Sequence, residues 1–372
     1  MITLSEKSQC CGCEACAQIC PKDCITMEED NEGFLYPHID ISLCIGCNLC
    51  EKICPELNPI TNINEPISIY AAKNTNESVR LVSSSGGIFS VLAEQIIEME
   101  GVVFGALFNE KWEVYHGYVD NKQDLKRMYG SKYVQSRINN SFIDARRFLR
   151  EGKFVLFSGT ACQIYALKRF LGKDYPKLLT VDVICHGVPS PKVWKRYLEE
   201  ISHGRIIKSI KFRDKVTGWK NYSSIVEYEN TQSDCLRNFM SLFLSNYILR
   251  PSCHSCLFKN GRCTSDITLG DFWGINLILL DFHDDKGISV VLMNRESLFI
   301  DLLKFIDYKK VTTNDALLRN PSFKVPVKMH PNREFFFFLF NKTNSVLKSY
   351  RMVRSTNPFI RIYRILFRKI LG

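Results

Sequence analysis

Beyond residue 66 the apolar positions alternate between two periods. Residues 88–99 place them at helical spacing, and Gly101 follows as a stop. Residues 102–108 then read as a strand. The logic repeats: an apolar run at 153–157, a tight turn at 158–162, a helix over 163–171 and a strand over 178–184. Ser190-Pro191 caps a further helix reaching residue 201. Residues 207–230 read as a hairpin with arms at 207–212 and 224–228. Strand, turn and helix in repetition predict an α/β fold with a parallel or mixed sheet covered by helices. Residues 1–57 show neither period. Residues 58–66 (NPITNINEP) are polar with two prolines and read as a linker. The expected organisation is a head at 1–57, a linker at 58–66, a main domain in two parts (67–145 and 146–330) and a tail at 331–372.

Composition changes this picture in two places. The 372 residues include sixteen cysteines, ten of them in the first 54 positions. The start, MITLSEKSQCC, has no basic segment followed by an apolar run, so no secretory signal is expected. A cytoplasmic setting keeps thiols reduced and favours metal ligation over disulfides. No stretch approaches the ~18 apolar residues of a membrane span. The net charge is +10, and residues 332–372 hold nine Lys or Arg against the single acid Glu334. The rest of the chain carries only +2, which argues against a nucleic-acid partner. The tail is a candidate for peripheral contact with an anionic membrane surface, here the inner membrane face.

Cys10, Cys13 and Cys16 are spaced by two residues, Cys20 follows after three, and Pro21 comes next. Cys44, Cys47, Cys50, Cys54 and Pro55 repeat the pattern. Two such runs are the signature of two 4Fe–4S clusters. Three thiolates on one tight loop reach three irons of a cubane, and the fourth reaches the other cluster. The expected sets are Cys10, Cys13, Cys16 with Cys54, and Cys44, Cys47, Cys50 with Cys20. Zinc sites usually pair two C-x-x-C units instead. Cys11 and Cys24 fall outside the pattern and read as bystander thiols.

Further strings carry a resemblance: SSSGGIFSVLAEQI (83–96), FSGTACQIYALKRFL (157–171), DVICHGVPSPKVW (182–194), KFRDKVTGW (211–219) and SCHSCLFKNGRCTSDITLGDFWGI (252–275). With the head, they resemble the beta-subunit family of coenzyme F-420 hydrogenases and dehydrogenases. The resemblance implies a mixed-sheet flavoprotein domain, FAD as cofactor, and electron passage between iron–sulfur clusters and a flavin or deazaflavin such as F-420. Similar bacterial chains occur beside polysaccharide-synthesis enzymes. Ala161 stands where relatives commonly carry proline.

A dinucleotide needs a pyrophosphate site. Ser84, Ser85, Gly86 and Gly87 precede a helix whose positive N-terminus suits one, and an ordinary helix cap is the alternative. Ser158, Gly159 and Thr160 lie between strand and helix, where α/β sheets place ligands, or form a plain connecting turn. Lys168 and Arg169 read as solvated surface. Cys253, Cys256 and Cys263 have metal-like spacing. With Cys162 or Cys185 as the fourth ligand, they are expected to hold a third 4Fe–4S cluster, with a zinc knot or plain buried thiols as alternatives. His186 is a candidate proton donor, or a structural histidine. Asp271, with Asp266, is a candidate for proton transfer or flavin positioning, or a turn cap. Arg213 and Lys215, near Trp219, read as a solvated hairpin loop, with an anionic-substrate site as the alternative. In the tail, Arg361, Arg364 and Arg368 recur at helical spacing, while Phe359, Ile362, Tyr363, Leu366, Phe367 and Ile370 fall largely on the other side. The expected function is an iron–sulfur flavoprotein oxidoreductase served by a redox partner protein or a reduced carrier. The alternatives are a non-catalytic relay subunit of a larger complex and a scaffold.

Overall fold

The computed structural model describes residues 2–63, 65–295 and 300–371, with the side chains of residues 368–371 left out. The head comprises α1 (Ala15–Ile19), β1 (Ile25–Glu29), β2 (Leu35–Ile39) and α2 (Leu49–Ile53). The two strands pair antiparallel, Ile25 opposite Ile39. Each helix is little more than one turn and directly follows a C-x-x-C loop, so each cysteine run is a loop closed by a short helix.

The main body begins with β3 (Ser68–Asn74), α3 (Glu77–Val82), α4 (Ile88–Glu98), β4 (Val102–Phe108), β5 (Val114–Val119), α5 (Lys122–Leu125) and α6 (Ser141–Arg150). It continues through β6 (Val155–Thr160), α7 (Ala161–Leu171), β7 (Leu178–Val183) and α8 (Pro191–Ser202). A separate three-stranded sheet holds β8 (Ile207–Asp214), β9 (Ser223–Tyr228) and β10 (Ser233–Cys235), followed by α9 (Arg237–Leu244). Then come β11 (Ile267–Asp271), β12 (Ser289–Met293), β13 (Ile306–Lys310), α10 (Thr313–Leu317) and α11 (Pro321–Lys324). Three helices follow: α12 (Arg333–Thr343), α13 (Val346–Arg354) and α14 (Pro358–Leu371).

The large sheet has eight strands in the order β13-β3-β12-β11-β7-β6-β4-β5. Neighbours β4, β6, β7 and β11 run parallel, and β3 runs with them because β12 is antiparallel to both β11 and β3. The expected mixed sheet is therefore present. Its central strands β6, β7 and β11 begin on buried apolar residues and turn polar toward their carboxyl ends. On one face α4 packs Leu92 and Ile96 against Val103, Leu156 and Leu179. On the other, α6 and α7 pack Phe142 and Leu167 against Phe104 and Phe157. Residues 335–337, together with Leu339 and Phe340, are core, packed with Trp194, Phe212 and Phe239.

The head is fused to this body. Cys13, Ala15 and Ile53 are buried in the same core as Phe104, Phe157 and Leu167. The Glu14 carboxylate accepts the Ile138 and Asn139 amides at 2.9 and 3.3 Å. The Gln18 amide oxygen accepts those of Phe142 and Ile143, near the N-terminus of α6. Arg333 forms a two-pronged pair with Glu32 at 2.8 and 2.5 Å, the strong geometry for such a pair.

Candidate functional site

In the head, the first set of thiols, Cys10, Cys13, Cys16 and Cys54, lies on the side facing the body. Cys13, Cys16 and Cys54 are buried. Burial, and then repulsion from Cys10 and Cys54, pushes the Cys16 thiol far up, which shows how closely these thiols sit. The second set, Cys20, Cys44, Cys47 and Cys50, lines a small cavity on the outer side, and Cys47 is exposed. Cys24, a bystander in the sequence, sits in that cavity with its sulfur 3.3 Å from that of Cys20. No disulfide forms among the sixteen cysteines. The donor chemistry and the pairing of sets fit two cubanes. Among the described residues no three His, Cys, Asp or Glu side chains converge on a single metal ion. A cubane, however, gives each thiolate its own iron and so spreads its sulfurs wider.

A larger cavity opens at the carboxyl ends of β6 and β7, where a sheet of this kind ordinarily receives its ligand. Five predicted ligands line it: Cys162, Cys185, Cys253, Cys256 and Cys263. The first four form one electrostatic group. Cys253 is pushed up by burial and by Cys185, Cys256 and Cys162, and Cys256 is pushed up to about 12 by burial and by Cys162 and Cys185. Cys162 starts α7, Cys185 follows β7, and Cys253 and Cys256 lie on the segment after α9. Cys263 differs: its sulfur is 3.8 Å from Thr268 Oγ1 and accepts from Asn294 Nδ2 at 3.7 Å. Sequence spacing grouped Cys263 with Cys253 and Cys256. The cavity adds Cys162 and Cys185 to the same lining. The Val188 amide donates to Cys253 Sγ at 3.5 Å, and Lys259 reaches the carbonyls of Cys185 and Ser322.

Three residues around this cavity escaped the sequence reading, and a fourth, Cys11, reads there as a bystander thiol. Cys11 lines it, interacting through its thiol with Cys13 of the head and with Cys162. Glu56 lines it too, its carboxyl raised to about 7 by burial. Arg250 is fully buried and donates to the carbonyls of Cys10 (2.6 Å) and Leu35 (2.8 Å) and to Gln135 Oε1 (3.1 Å). Gln135 in turn donates to the Cys11 carbonyl at 3.1 Å. Arg250 feels both Cys10 and Cys253, so it lies between the head and the inner cavity. Its only signal was proximity to Cys253 in sequence.

His186 also lines the cavity. Its Nε2 bonds Asn246 Oδ1 at 2.7 Å, and burial favours the neutral ring. Thr160 caps α7 through a reciprocal box with Gln163, and Ser158 Oγ donates to the Phe104 carbonyl. Gly159 lies between them, with no room beyond the Gln163 side chain. In the other loop, Ser84 Oγ accepts from Ser131, and Ser85 Oγ donates to the Ile288 carbonyl. Gly86 is required for close packing, because a Cβ there would stand 2.4 Å from the Ala72 carbonyl oxygen. Gly87, at φ +78°, starts α4 without a side-chain cap.

Arg213 and Lys215 do not form a solvated hairpin loop. The end of β8 tucks against the end of β11, and both residues are buried. Arg213 pairs with Asp271 at 2.7 Å, and Trp219 Nε1 donates to the same carboxylate at 3.1 Å. Lys215 donates to the carbonyls of Arg80, Ser85 and Lys286, and burial lowers its ammonium to about 7. Lys168 and Arg169 are likewise engaged, with the carbonyls of Thr264 and Lys52.

Residues 152–315 match the family model that describes the C terminus of the coenzyme F420 hydrogenase/dehydrogenase beta subunit, and residues 9–57 match that of the 4Fe-4S dicluster domain. None of the curated proteins matches the chain. Among solved structures, a chain of the F420-reducing [NiFe] hydrogenase complex from Methanosarcina barkeri is 16% identical, with a TM-score of 0.47. The alignment covers 78% of this chain and 91% of that one.

Proposed function

We propose that this chain, which joins a 4Fe–4S dicluster head to a C-terminal domain of the coenzyme F420 hydrogenase/dehydrogenase beta-subunit kind, is an electron-transferring oxidoreductase with a third cluster site in its inner cavity. The observation that carries this is the gathering of Cys162, Cys185, Cys253 and Cys256, from three separate segments, on a cavity that also touches the head through Cys11. Bound clusters would supply one-electron transfer; the chain supplies position and potential.

The thiol sets are proposed to act in sequence. Cys20, Cys44, Cys47 and Cys50 face outward, Cys10, Cys13, Cys16 and Cys54 face the body, and the cavity thiols lie beyond Cys11. Arg250, Lys259 and the Val188 amide place positive charge or a donor beside these sulfurs, which favours the reduced state of whatever they ligate. Cys263 is left as a buried structural thiol.

FAD, or a deazaflavin such as F420, is the proposed two-electron partner. The uncapped start of α4 at Gly87 is the place that favours a pyrophosphate. Ser84, Ser85, Ser158 and Thr160 shape the two loops through their internal hydrogen bonds. His186 is the proposed proton donor at the cavity wall. Asp271, held by Arg213 and Trp219, orients the neighbouring loop. A redox protein or reduced carrier is proposed to meet the exposed outer set at Cys47.

Anaerobic purification with iron, sulfide and flavin quantitation tests the reading. The wild type should carry about twelve irons and one flavin. Cys253→Ser with Cys256→Ser should lose about four irons, and Cys263→Ser none. Unchanged iron in the double variant refutes the third site.

A further inference from the structure

The helix α14 is only half used by the fold. Its Tyr363 and Phe367 rest on Phe335 and Phe338 of α12, with ring centroids 4.7–6.0 Å apart. A second apolar arc lies beside this contact and is left open. Phe359 is 82% exposed, and Ile362, Ile365 and Leu366 are each about half exposed, at 54, 48 and 51%. At 3.6 residues per turn these four positions occupy one contiguous arc of about 120°, and Arg361 borders it. The side chains of Arg368 and Ile370, which belong to the same sequence pattern, lie outside the described residues.

The surroundings indicate what covers this arc. Lys342, Lys348, Arg351, Arg354 and Arg361 are exposed on α12, α13 and α14, and Glu334 is the single acid among residues 332–372. None of the described salt bridges uses these five cations. A protein groove would cover the apolar arc, but the neighbouring cations call for a surface negative over a wide area. At fourteen residues the helix is also too short to span a bilayer. We infer that α14 seats the protein on an anionic lipid surface, lying in the headgroup plane with Phe359, Ile362, Ile365 and Leu366 inserted and the cations over lipid phosphates. This goes beyond the electron-transfer reading and does not depend on it.

The test is co-sedimentation of the full holoprotein with vesicles of phosphatidylglycerol and phosphatidylcholine, against phosphatidylcholine alone. The wild type should bind the anionic vesicles, more weakly as salt is raised, and barely bind the neutral ones. Phe359→Glu with Ile362→Glu should abolish binding, and Arg361→Gln should weaken it about fivefold. Unchanged cluster absorbance shows that the variants fold. Equal binding of the double variant and the wild type overturns the inference, as does no binding to anionic vesicles. Lipid-free self-association that the double variant loses also overturns it, because a second copy would then be the occupant.

Discussion

Replacing Arg250 by Met should lower the reduction potential of the cluster proposed at Cys10, Cys13, Cys16 and Cys54. The guanidinium is fully buried and donates to the Cys10 carbonyl at 2.6 Å, so a full positive charge stands beside that thiol loop. With an effective dielectric of about 20 and a separation of roughly 8 Å, one unit charge is worth about 2 kcal/mol. For a one-electron couple that corresponds to a fall on the order of 90 mV. The sign follows from charge: the cation favours the state with the added electron, so its loss makes reduction harder. Met preserves much of the volume, yet it strands the Cys10 and Leu35 carbonyls, at about 1–3 kcal/mol each. Arg250→Lys separates the two effects, because it keeps the charge and loses the fork. EPR-monitored redox titration of the three proteins is the assay. An unchanged potential in the Met variant, or an equal fall in both variants, refutes the electrostatic reasoning.

Two further outcomes follow from the packing. Gly12→Ala should destabilise the head by more than about 2 kcal/mol, because φ is +70° and a Cβ would stand 2.5 Å from Gln135 Nε2 and 2.6 Å from Arg250 Nη1. Urea unfolding with iron release as a second probe reads this out. His116 is buried between Ser136 and the Ser158 carbonyl, and burial lowers its pKa to about 4. The unfolded chain binds that proton first, so stability is full above about pH 6.5 and falls by about 3 kcal/mol as pH drops to about 4. Urea midpoints across this range should fall less steeply for His116→Gln; equal slopes would exclude His116 as the source.

Local spacing carried much of this molecule. The two cysteine runs and the alternation of strand and helix from residue 67 to 201 are short-range patterns, set by the reach of a cubane and by helical and strand periods. The convergence of residues far apart in sequence was not visible. Arg250 meets Cys10 across 240 positions, and Gln135 meets Cys11 across 124. No periodicity announces either contact. Nor does spacing show that Cys263, near Cys256 along the chain, meets Thr268 and Asn294 beside β11. Arg213 and Lys215 read as solvated because charge usually marks surface, whereas here Asp271 and a set of carbonyls compensate them.

The burial of Cys13, Ala15 and Ile53 in one core with Phe104, Phe157 and Leu167 has a consequence for how such chains can diversify. A head joined by a polar linker looks like an interchangeable cassette, free to be exchanged for another with a different redox partner. Here an exchange would have to bring matching residues for Glu14, Gln18 and Glu32, or leave the start of α6 and the Arg333 guanidinium unanswered. New partner specificity is therefore most easily acquired by altering the outer loop around Cys47, where Leu43, Ile45 and Cys47 are exposed, while the inner loop is inherited together with the body that encloses it.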